Sequence, residues 1–172
     1  MVKADEIPVA KTPPGGWLGE MPPPVLVGCT EPLRPGAPDL RGLWQAVGVE
    51  RDGRVLTDHR LNDHVERIEQ CGNRVVVTSE GVIHDMRADG TLENGVNDVA
   101  GPDLEQPIRV AAVFNKGRLD LHPFGIQPDT PPLVTREIVD GSLAWHYGPF
   151  KVTMRRIGDT ADTLATQRRA ST

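Results

Sequence analysis

Aromatic residues make up 4% of this 172-residue chain: three Trp, three Phe and one Tyr. With so few rings, the interior volume must be filled by aliphatic side chains or left open. Positive charge is also short, with 19 Lys and Arg against 24 Asp and Glu and a formal net charge of -5. That balance excludes a general nucleic-acid binder, which must neutralise phosphates. Long apolar runs are missing, and none approaches the roughly 18 residues of a membrane span. Cysteines number two, Cys29 and Cys71, too few for a disulfide framework and without metal-ligand spacing, so they read as free thiols. Leu26-Val27-Gly28-Cys29 has the outline of a lipoprotein cleavage box. The acidic Asp5, Glu6 and Glu20 and the interrupting prolines before it do not make a signal peptide. A cytoplasmic protein is expected.

Motifs of the common enzyme classes are absent as well. There is no His-Glu-x-x-His, no paired Cys-x-x-Cys and no Gly-x-Ser-x-Gly. Glycines fall in turns rather than in a phosphate-cradling loop before a helix, which argues against a nucleotide enzyme. His59 and His64 lie around a turn, but nothing supports a metal there. No metal and no cofactor are expected.

What the chain does have is glycine and proline, 18 and 16 residues. Nine of the prolines lie in the first 38 residues. Proline removes backbone donors, so residues 1–38 cannot be regular helix or central strand. Residues 1–15 are expected to be loose, and 16–38 to wrap the body as an extended strap. Residues 39–157 form the second unit, and 158–172 read as a tail of a helical turn or two.

Within 39–157 the period is two. Leu43, Gln45, Val47 and Val49 alternate with Trp44, Ala46, Gly48 and Glu50. Similar short runs follow to Phe150–Ile157, separated by turn chemistry such as Asp52-Gly53, Glu80-Gly81, Asn115-Lys116-Gly117 and Asp140-Gly141. The links are too short for crossover helices, so neighbouring strands run antiparallel. About eight to ten strands in a meander close most simply as an up-and-down barrel, which leaves no exposed edge. The fold class is therefore all-β.

Three segments carry a resemblance. Arg41-Gly42-Leu43-Trp44 resembles the opening strand of lipocalins and related calycins. Thr135-Arg136-Glu137-Ile138-Val139-Asp140-Gly141-Ser142-Leu143 is similar to the penultimate hairpin of intracellular fatty-acid-binding proteins. Phe150 to Ile157 is similar to their closing strand, which carries an internal arginine. The resemblance implies a calycin-like barrel with a ligand inside, and Trp44 packed against Arg155 or Arg156.

Parity selects the candidate site. Phe150, Val152, Met154 and Arg156 share a face, and its apolar members point that face inward. A buried arginine then needs an anionic or carbonyl partner, or a structural pairing with Trp44. Arg136 shares a face with Val134 and Ile138 and would be a second internal cation. His84 lies with Val82 and Met86 and is the best cavity histidine. His146 lies opposite Trp145 and Tyr147, and His122 belongs to an outward set. The candidate catalytic residue is His84; the candidate ligand-binding residues are Trp44, Met86, Arg136, Met154 and Arg156. For His84 the plain alternative is a hydrogen-bonded side chain.

The expected function is binding of a small, mostly hydrophobic molecule with one anionic or carbonyl group. The alternative is an isomerase, cyclase or hydratase using the same cavity. A haem protein with His84 or His146 as axial ligand, and an interaction module using Pro22-Pro23-Pro24, remain open beside them.

Overall fold

Two-residue turns decide how this chain doubles back. In the computed structural model, which describes residues 2–161, Asp52, Glu80, Lys116 and Asp140 all have positive φ, each followed by a glycine that does too. Paired left-handed residues make the primed turn whose twist matches two antiparallel strands. These turns join β1 (Gly42–Arg51) to β2 (Arg54–Leu56), and β4 (Arg74–Ser79) to β5 (Val82–Arg87). They likewise join β7 (Pro107–Asn115) to β8 (Arg118–Pro123), and β9 (Val134–Val139) to β10 (Ser142–Tyr147). The remaining strands are β3 (Val65–Cys71), β6 (Val96–Val99) and β11 (Phe150–Gly158).

Every neighbouring pair of strands is antiparallel. The order is β5-β4-β3-β1-β11-β10-β9-β8-β7-β6, with the short β2 attached to β1. The sheet curls until its two ends meet, giving an all-β, nearly closed barrel. At the seam, Asp89 bridges Val113, Arg87 N–H donates to Asn94 O at 2.7 Å, and Gly90 N–H donates to Ala112 O at 2.8 Å. Higher up, the seam is closed by residues 11 and 12. Lys11 Nζ donates to Asn97 O (2.7 Å), Thr12 N–H donates to Asp98 Oδ2 (3.0 Å), and Ile83 N–H donates to Thr12 Oγ1 (2.9 Å).

The main core fills the barrel with aliphatic side chains plus Trp44 and Trp145. In β1 the alternation slips at Val47. Trp44 and Ala46 point in, Val47 is 57% exposed, and Val49 is the next buried residue. Pairing with β11 is irregular between Ala46 and Gly48, so a bulge reverses the inward parity of the rest of the strand.

A second, smaller core lies outside the barrel, where Val76, Ile83 and Leu26 pack together. It is covered by the N-terminal segment, which Arg74 grips. Its guanidinium is 1% exposed and binds both oxygens of Asp85, at 2.8 and 2.6 Å, and the carbonyls of Ala4, Ile7 and Pro8. Residues 4–12 are thus held to the barrel rather than loose, because a buried guanidinium needs all its donors satisfied. The cysteines also differ from expectation. Cys29 and Cys71 form a disulfide, with Cα atoms 6.2 Å apart, so they are not free thiols. Scarcity was a poor guide, because one bridge suffices to fasten a segment of low regular structure. Among the described residues, no helix is long and apolar enough to cross a membrane. Residues 162–172 of the expected tail lie outside the described residues.

Candidate functional site

One end of the barrel is not filled. A cavity of about 290 Å³ opens between β4 and β5 on one side and β7 to β10 on the other. Val77, Val82, Met86, Val96, Val110 and Leu121 supply much of its apolar wall. The opposite character comes from His64, Glu80, His84 and Arg136, which also line it.

Strand parity puts Glu66 inside, on the same face of β3 as Ile68, and the side chain is wholly buried. Arg136 on β9 reaches across the barrel to it. Arg136 Nε donates to Glu66 Oε1 at 2.9 Å, and Nη2 donates to Oε2 at 3.2 Å. This two-pronged geometry is the strongest a guanidinium and carboxylate can make. His64 Nε2 sits 2.9 Å from the same Glu66 Oε2, and its Nδ1 sits 3.0 Å from Glu80 Oε1. Glu80 also accepts from Arg60 at 3.1 Å, at the rim. The result is an alternating chain, Arg60–Glu80–His64–Glu66–Arg136. Trp145 is sandwiched onto it, stacked on His64 at 4.6 Å with the Arg136 guanidinium 5.2 Å from its ring centre.

Electrostatics follow from these contacts. Burial disfavours the charged form of His64, but the hydrogen bonds and charges of Glu66 and Glu80 outweigh it and raise its pKa to about 9. Burial likewise works against ionised Glu66, yet Arg136 and His64 hold it down at about 2. His64 is therefore an imidazolium donating to two carboxylates at neutral pH, and is not available as a base. His84 is the opposite case. Burial pushes its pKa down, and the nearby Arg136 charge adds to that shift. Its Nε2–H donates to Val99 O at 2.8 Å, which leaves Nδ1 with a lone pair and no hydrogen bond to the described residues.

Of the sequence candidates, His84, Met86 and Arg136 line the cavity. Trp44 and Met154 lie in the packed core beneath it, where Trp44 Nε1 donates to Leu40 O at 2.9 Å. Neither is among the lining residues. Arg156 is displaced entirely. Its side chain is 47% exposed, crosses the barrel end against Gly42, and pairs with Asp159 at 2.6 Å. Arg156 keeps its parity, paired in register with the inward-pointing Trp44, but it lies at the end of the barrel, where water solvates the guanidinium at no burial cost. The arginine that lies over an indole is Arg136 over Trp145, not Arg156 over Trp44. His146 lies on the face of β10 opposite Trp145 and Tyr147, away from the cavity that those two rings line.

Sequence reasoning missed His64, Glu66, Glu80 and Trp145. A signal existed for Glu66, since it shares alternation with Ile68 and Gln70, and an ionisable group on an apolar face demands a partner. No signal tied it to Arg136, 70 residues away.

Comparison with known proteins leaves the chain without a family. No protein-family model matches it, and no curated protein or solved structure is significantly similar. The barrel itself is compatible with a calycin-like fold.

Proposed function

We propose that this is a calycin-type binding protein that encloses a small, mostly apolar molecule in the barrel. The observation that supports this reading is the cavity: about 290 Å³, largely aliphatic, with a few polar groups grouped on one wall. Apolar enclosure supplies affinity through buried area, and a few fixed polar groups supply orientation. A filled structural barrel would instead have packed this space to crystal-like density. The test uses an uncharged environment-sensitive dye, N-phenylnaphthylamine. It should brighten and saturate with the wild-type protein, and Met86→Trp, which fills the cavity, should weaken binding at least tenfold. Equal binding by that variant would place the dye elsewhere and sink the proposal.

A second reading, an enzyme on the same barrel, is favoured by one pairing. The neutral His84 ring, with a free Nδ1 lone pair, stands within the electrostatic reach of Arg136. A base and a cation around one cavity suit proton abstraction beside a carbonyl. Carriage returns its ligand unchanged after incubation; chemistry converts it, and mass analysis of extracted ligand distinguishes them. A cytoplasmic setting has lost the support of free thiols, since a disulfide is more at home in an oxidising compartment.

A further inference from the structure

Five non-glycine residues among those described have positive φ. Asp52, Glu80, Lys116 and Asp140 are polar, and each opens a two-residue turn between strands. Phe124, at φ 63°, is the apolar member of the set, and it serves no such hairpin. It is the third residue of a turn that Gly125 N–H closes by donating to His122 O at 3.2 Å. A turn with proline second and positive φ third ordinarily carries Gly or Asn in that third place, because a larger side chain crowds its own backbone. Here the glycine comes one residue late, in Pro123-Phe124-Gly125. The backbone is fixed from outside the turn. Phe124 N–H donates to Arg109 O at 2.9 Å, and Leu133, where the loop returns, is held by Leu121 and Gly148.

The ring meets a second cost. Phe124 is 80% exposed, so its burial contributes almost nothing to the fold. Yet it stands at the mouth of the cavity, which it lines together with Pro123, Ile108 and Leu133. Strain and exposure fall on one residue at the edge of an apolar space. Both are offset when the ring covers a molecule that enters that space. Depth separates this apolar lip from the polar wall. Leu121 pairs with Val134 and Leu119 with Arg136, so Arg136 lies two residues farther from the loop than Val134. His84 likewise lies two residues along β5 from Val82, beside the turn at Glu80 and Gly81. Arg60 and Glu80, which also line the opening, bind each other at 3.1 Å.

We propose that Phe124 is a ligand-binding residue whose ring closes over the outer end of the bound molecule, and that this end is apolar. The guest then sits with its polar group inward, toward Arg136 and His84, and its hydrocarbon end beneath the lip. The inference rests on the binding reading above and deepens it, adding a contact residue and an orientation. The turn holds Phe124 in a conformation that favours glycine, and binding is what the ring supplies in return.

The test uses N-phenylnaphthylamine as the probe, with 1-decanol and 1,10-decanediol as competitors. Phe124→Ala and Phe124→Gly should each weaken dye binding at least about fivefold, the loss of one ring contact. Without ligand, Phe124→Gly should melt no lower than wild type and above Phe124→Ala, which keeps the unfavourable backbone. Phe124→Ala should weaken displacement by decanol by about the same factor and leave displacement by the diol, which places a hydroxyl under the ring, nearly unchanged. Unchanged dye binding in both variants, with Met86→Trp still abolishing it, would overturn this inference and leave the binding reading intact. A Phe124→Gly protein that melts below wild type would also overturn it, since the ring would then serve the fold. Equal weakening of both alcohols would overturn the orientation. If Met86→Trp leaves dye binding unaltered, the binding reading fails and this inference fails with it.

Discussion

Glu66 bridges two buried cationic side chains inside the barrel. It joins a guanidinium from across the barrel to the imidazolium of His64, just before its own strand, and none of the three is solvated. Removing it strands the buried Arg136 guanidinium and leaves His64 with Glu80 alone, so Glu66→Ala should cost about 3–5 kcal/mol in urea unfolding. A loss below about 1 kcal/mol, the range of surface pairs, would mean that the network is solvated in solution. The same groups set the pH dependence. His64 is raised from 6.5 to about 9 on folding, so its contribution is full below pH 6.5 and fades as pH rises through 9. Glu66 is lowered from 4.5 to about 2, so its contribution is present above 4.5 and fades as pH falls toward 2. Stability should therefore peak between pH 4.5 and 6.5 and decline on both sides, as measured by melting temperature across a pH series. His64→Gln should flatten the alkaline arm. At this scale, regular alternation was enough to place His84 and Met86 inside. Arg156 escaped because parity fixes which face a residue takes and not how far along the barrel it lies, and Arg156 stands at the barrel's end.

Strands and turns were the most legible elements, since each Asp-Gly or Lys-Gly turn left a local mark on the sequence. The N-terminal segment was legible only in part. Its prolines exclude regular structure, but what holds it is written elsewhere, in Arg74 and Asp85 on the outer face of β4 and β5. Alternation assigns such residues to solvent, and nothing local reveals that another segment covers them. The disulfide is the covalent part of this attachment, joining Cys29 and Cys71 across a sequence separation of 42. A loop of that length corresponds to roughly 4 kcal/mol in the chain-entropy account, with about 2–4 kcal/mol typical in practice. Cys29→Ser, or a reductant, should lower stability by that amount while the barrel's far-ultraviolet circular dichroism stays unchanged. Unaltered stability would show that Arg74 and the outer core hold the segment unaided.

Across the whole molecule, one sheet is asked to do two things: pack a dry core at one end and leave room at the other. The bulge at Val47 and the seam between β5 and β6 let ten strands curl without a continuous ladder around the barrel. Closure by residues 11 and 12 makes the N-terminal segment part of the cavity's outer support. This long-range arrangement could not be read from the sequence, because strand order shows where Glu66 and Arg136 meet only once the barrel is closed. The account stands on that space being open and able to hold an apolar guest. Native mass spectrometry of the protein incubated with N-phenylnaphthylamine tests it most directly. A one-to-one adduct that is lost on denaturation and absent from Met86→Trp is the predicted result. No adduct, or one equally abundant in the variant, would contradict it.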